Sequence, residues 1–200
     1  TAVVLNVTAT NPTSSSFVSV YPDGTTRTSA SNLNFVAGQT IPNLVIVPVV
    51  NGKVSFYNHA GSVDLIADIT GYFTSGTDGA SHINLGPKRL MDTRNGTGVR
   101  QGPVGAQGVV TLPVAGVAGV PASGVTAVVL NVTATNPTSS SFVSVYPDGT
   151  TRTSASNLNF TSGLTIPNLV IVPVVNGKVS FYNHAGSVDL IADITGYFTK

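Results

Sequence analysis

A stretch of 74 residues occurs twice in this chain. Thr1–Thr74 returns as Thr126–Thr199 at an offset of 125, with 71 of 74 positions identical. The exceptions pair Val36 with Thr161, Ala37 with Ser162 and Gln39 with Leu164, all in one short Gly-containing segment. Near-identity at this level implies a recent duplication, and changes confined to one segment mark a loop. Such self-similarity dominates every other signal in a sequence. An enzyme seldom needs two nearly identical active sites in tandem, whereas a surface module gains avidity from copies.

The repeat sets the expected domain organisation. Residues 1–74 read as a first copy lacking its N-terminal strands, 75–86 as a Gly/Ser-rich linker, and 87–200 as a complete β repeat. The strands of Pro87–Val125 can complete the second copy or the first, but not both. One copy then keeps an unpaired sheet edge, a template for another chain. Head-to-tail strand complementation, between repeats or between molecules, is the expected consequence.

Composition narrows the function classes. Only 8% of residues are charged, nine basic against eight acidic, and all eight acids are Asp. Ser and Thr together number 45, so hydroxyls stand where a typical soluble domain carries charge. A net charge of +1 offers no basic face for phosphate neutralisation, so nucleic acid is not expected as a partner. A mean hydropathy of +0.29 excludes a disordered chain. The longest apolar run, Leu44–Val50, is interrupted by Pro48 and is far too short for a helical membrane span. With no Cys, disulfides, thiol catalysis and thiolate zinc are excluded.

Period-two alternation recurs and no helical periodicity appears, so the chain is expected to be all-β. Val128–Thr133 and Phe142–Tyr146 read as strands, the latter followed by a Pro147-Asp148-Gly149 turn. Leu169–Val175, then Asn176-Gly177, then Lys178–Tyr182 reads as a hairpin with a type I′ turn. About eight short strands in some 115 residues point to a β-sandwich, jelly-roll-like, with a β-trefoil or small barrel as the alternative. Pro173 places its strand at an edge or a bulge.

Few residues could carry chemistry. Asp92-Thr93-Arg94-Asn95-Gly96-Thr97-Gly98 could hold a sugar or carboxylate through the Arg94 fork. The plainer reading pairs Arg94 with an Asp of its own domain, Asp189 or Asp193 being the natural partners, or Asp64 or Asp68 if the segment serves the first copy, because a lone buried charge is costly. Asp189 and Asp193 lie about 13 Å apart along a strand, too far to share an ion. His59 and His184 are copies in a turn, and no His spacing suits zinc. Neither a Gly-x-Ser-x-Gly elbow nor a phosphate loop is present. No catalytic residue, metal or cofactor is expected. Asn131, Asn157, Asn159, Asn168 and Asn183 fall in or beside strands, where amides are depleted; either they bond backbone at bulges and sheet ends, or they and the tyrosines contact glycan hydroxyls. The candidate ligand-binding set is Asp92, Arg94, Tyr146, Asn157, Asn159, Tyr182 and Asn183.

The strings Arg89–Gly98, Thr126–Thr133, Ser156-Asn157-Leu158-Asn159 and Asp193–Phe198 together resemble a tandem β-rich repeat of exported actinobacterial (Streptomyces-type) proteins. That resemblance covers the unit from Pro87 and, without its Asp-Thr-Arg segment, the one from Thr1. It implies a secreted or cell-surface module, free-standing in tandem or attached to hydrolases, and carries no catalytic residues across. The expected function is a non-catalytic module for surface attachment or glycan binding, with a polysaccharide or cell-wall surface as partner. The alternative is a structural spacer or filament subunit whose partners are neighbouring copies of itself.

Overall fold

The computed structural model describes Thr1–Lys200 and divides into two compact units, Thr1–Gly79 and Ala80–Lys200. The first contains β1 (Ala2–Thr10), β2 (Ser16–Pro22), β3 (Leu33–Phe35), β4 (Ile41–Pro48), β5 (Val54–Asn58) and β6 (Asp64–Phe73). The second contains β7 (Ser81–Asp92), β8 (Val109–Pro113), β9 (Val125–Thr135), β10 (Ser141–Pro147), β11 (Leu158–Phe160), β12 (Ile166–Pro173), β13 (Lys178–Asn183) and β14 (Asp189–Thr199). Every strand pairing is antiparallel.

Each unit is a β-sandwich. In the second, one sheet runs β12-β9-β14-β7 and the other β11-β10-β13-β8. Alternation along β9 turns Val128, Leu130, Val132 and Ala134 inward, all fully buried. They face a core completed by Val143, Leu158 and Phe181 of the other sheet and by Leu190, Ala192 and Ile194 of β14. The first unit repeats the plan as β4-β1-β6 and β3-β2-β5. Its core joins Leu5, Val7 and Val45 from one sheet to Val18, Leu33 and Phe35 from the other. No sheet closes on itself, so neither the trefoil nor the barrel is found.

The two units differ by two strands. β7 pairs with β14, and β8 with β13; the first unit has no strand at the matching edges of β6 and β5. Within this chain Pro87–Val125 thus serves the second copy. β7 begins at Ser81, inside the segment read as a linker, because His82 and Ile83 have Phe198 and Tyr197 to pair with.

Asn176 and Gly177 both take positive φ, 52° and 71°, as a type I′ turn requires, and Val175 bridges Lys178 across it. The flanking strands nevertheless separate, β12 to one sheet and β13 to the other. The expected hairpin is instead the corner at which the chain crosses the sandwich. β12 is an edge strand, which is why Pro173 costs no ladder bond. The three positions that differ between copies lie in the β3–β4 connection and its counterpart between β11 and β12.

Candidate functional site

Asp92 ends β7 with a side chain 1% exposed, and a buried carboxylate needs partners. Arg94 supplies three of them: Nε donates to Oδ1 at 2.9 Å, Nη2 to Oδ2 at 2.8 Å, and its backbone N–H to Oδ1 at 3.1 Å. Arg89 Nη1 adds a fourth at 3.3 Å. These donors, Arg94 foremost, outweigh burial and hold the Asp92 carboxyl at about 2, below its ordinary 3.8. Arg89 in turn grips Asp193 through two bonds of 2.8 and 3.1 Å.

The sequence-based partners of Arg94 are therefore corrected. Asp193 goes to Arg89, Asp189 accepts from Thr93 Oγ1 at 3.1 Å and Asn136 Nδ2 at 3.1 Å, and Arg94 turns back on the carboxylate two residues before it. The reason is local: a chain turning after β7 brings the guanidinium over Asp92, and the Asn95-Gly96-Thr97 turn is closed by Asp92 itself, whose carbonyl accepts from Gly96 N–H at 3.0 Å. Thr93 exchanges bonds with the backbone of Leu190 at 3.0 Å each way. This cluster fastens the β7–β8 connection to the start of β14.

The strand amides are similarly occupied. Asn183 is fully buried; its Nδ2 donates to the carbonyls of Val104, Gly105 and Gly186 at 3.0–3.2 Å, and its Oδ1 accepts from Ser141. Asn157 Oδ1 accepts from Val145 N–H at 2.6 Å, and Asn159 Nδ2 donates to Ser156 Oγ at 2.9 Å. Asn157 and Asn183 thus satisfy backbone groups where strands end or loops cross, and Asn159 closes on a neighbouring side chain.

What remains facing outward lies on the β10–β13 sheet. Alternation places Phe142, Ser144 and Tyr146 on one face of β10, with Tyr182 opposite Ser144 and Ser180 opposite Tyr146. The Ser144 hydroxyl donates to Ala155 O at 2.6 Å, which draws the β10–β11 connection across this face. That connection lays Arg152 over the Tyr182 ring, Cζ 4.1 Å from the centroid. His184 stacks on Phe142 at 4.6 Å and 13°. Arg152 makes no ion pair; its Nη1 donates to the carbonyl of Thr153 at 2.9 Å.

The first unit builds the same cluster. Arg27 lies 4.0 Å over Tyr57, and His59 stacks on Phe17 at 4.7 Å and 14°. Since that unit has no strand at the outer edge of β5, the cluster's geometry comes from two strands and one connection rather than from the completed sheet. Of the sequence candidates, Tyr182 belongs to this cluster and Tyr146 to the same face. Phe142, Arg152 and His184 went unrecognised: the residues are 10 to 42 positions apart, and only the duplicated Asn-His-Ala-Gly turn hinted at them.

No family model and no curated protein matches the chain. Among solved structures, one from the study "Life in the extremes: atomic structure of Sulfolobus Turreted Icosahedral Virus" aligns over 100% of this chain and 49% of that chain, at 7% identity and a TM-score of 0.27. The chain spans about half the length of that protein, and so slight a likeness carries no argument.

Proposed function

We propose that this chain is a non-catalytic module for attachment to glycan-bearing surfaces, and that its contact points are the two outward clusters Phe17–Arg27–Tyr57–His59 and Phe142–Arg152–Tyr182–His184. The supporting observation is the guanidinium seated 4.0–4.1 Å over a tyrosine ring without a carboxylate partner in both units. A guanidinium already seated on a ring loses little freedom on binding and offers paired donors to sugar hydroxyls or, better, to an acidic group on a polysaccharide. The neighbouring Phe–His stack supplies an apolar edge for a sugar ring. Two identical clusters on one chain provide avidity on a repetitive polymer, where overall binding can exceed that of one site by about 10²–10⁴. The resemblance to exported repeat proteins and the low charge agree with this reading.

Retention on insoluble cell-wall polysaccharide, acidic and neutral, tests it. Arg27→Gln or Arg152→Gln alone is expected to weaken retention by more than tenfold through lost avidity, and the double variant to abolish it while amide spectra show both units folded. Retention unchanged in the double variant would sink the proposal, as would a wild-type chain that no polysaccharide retains.

A further inference from the structure

The same strand has two fates in this chain. In β14, Ile191 and Ile194 are 7% and 0% exposed; their counterparts in β6, Ile66 and Ile69, are 49% and 64% exposed. Phe181 of β13 is fully buried, whereas Phe56 of β5 is 36% exposed. Sequence is not the cause, since these strands are identical in the two copies. The differences fall on the two strands that β7 and β8 cover in the second unit.

We infer that the β5 and β6 edges of the first unit form a docking site for a strand segment of the Ala80–Val125 type, the segment that covers the matching edges of the second unit. The second unit is itself the picture of the occupied state. There Asp193 takes Arg89 and Ile194 lies opposite Lys88; the equivalent seats are Asp68 and Ile69, and Asp68 makes no ion pair. Val179 and Phe181 lie opposite Leu112 and Val110; their counterparts are Val54 and Phe56.

A glycine marks the closest approach. A Cβ at Gly196 would come within 2.5 Å of His82 Nε2 and 2.8 Å of the Ile83 carbonyl oxygen, both belonging to β7. At Gly71, its counterpart, the nearest atom is a Val4 methyl at 3.9 Å. Gly71 leaves room for a strand that this chain does not place there.

Unlike the outward Arg–Tyr clusters, this site is independent of any glycan.

The test uses the full chain, isotopically labelled in Thr1–Gly79 so that NMR distinguishes the otherwise identical strands, and a synthetic peptide of sequence Ala80–Val125. One peptide is expected to bind per chain and to slow amide exchange along β6 by about a hundredfold. Gly71→Ala, whose added Cβ makes only an ordinary contact with the Val4 methyl in the first unit, is expected to weaken binding by about tenfold or more, and Asp68→Asn by several-fold. As a second route, a copy of Ser75–Val125 joined before Thr1, as it precedes Thr126, is expected to bring β6 exchange to the rates of β14. Exchange along β6 that stays fast with both peptide and fusion overturns the inference. So does equal binding by the Gly71→Ala chain, or a wild-type chain whose β6 edge is already protected by dimerisation.

Discussion

Phe181→Ala is expected to destabilise the second unit by about 3–5 kcal/mol, the cost of emptying a fully buried aromatic site, while Phe56→Ala costs the first unit roughly 1 kcal/mol. The two residues are copies in identical strands, and only burial separates them, 0% against 36% exposed. Because the units need not unfold together, a single melting curve is the wrong measure. Amide exchange resolved by unit reads each loss separately. Equal losses at the two positions would mean that β8 contributes nothing to the packing of β13.

Asp92→Asn carries the second large effect, about 2–3 kcal/mol off the second unit. Breaking a buried ion pair costs about 3–5 kcal/mol, reduced here because Arg89 and Arg94 are 44% and 45% exposed and keep part of their hydration. The pH dependence has a definite sign. A carboxyl held at about 2 in the folded state against an ordinary 3.8 contributes stability that is complete above about pH 4 and is lost as pH falls through 2. Denaturant midpoints of the second unit should therefore fall across that window in the wild type and fall less in Asp92→Asn. The first unit has no counterpart of Asp92 and should not distinguish the two chains. A variant that titrates like the wild type would place the acid sensitivity elsewhere.

Both predictions concern attachment of β7 and β8, where sequence reasoning stopped short. Alternation and β-branched composition made the strands legible, because a half-buried strand exposes one face to water and hides the other. Pro173 on an edge strand was readable for a similarly local reason: a missing N–H is tolerated only where no neighbour needs it. The Asn176-Gly177 turn was legible as a turn and misleading as a hairpin. Turn chemistry sets two φ angles, not which sheet the outgoing strand joins. Asp92 and Arg94 stood in plain view, yet their pairing with each other did not, because the competing acids on β14 are held by Arg89 and Thr93, which only the register of β7 brings close. The strand amides looked like a polar array available to a ligand; the fold gives Asn157 and Asn183 to its own backbone.

The duplication fixes much by itself: two copies of one β-sandwich plan, differing in a connection, with one intervening segment to share. It could not assign that segment, since both copies offer it the same residues. The tertiary structure made the assignment, and with it turned one set of strands into two environments. Ile194 lies in a core and Ile69 in water for one physical reason. Burial belongs to the neighbours a side chain acquires, and identical sequence guarantees identical neighbours only where the same strands are present to supply them.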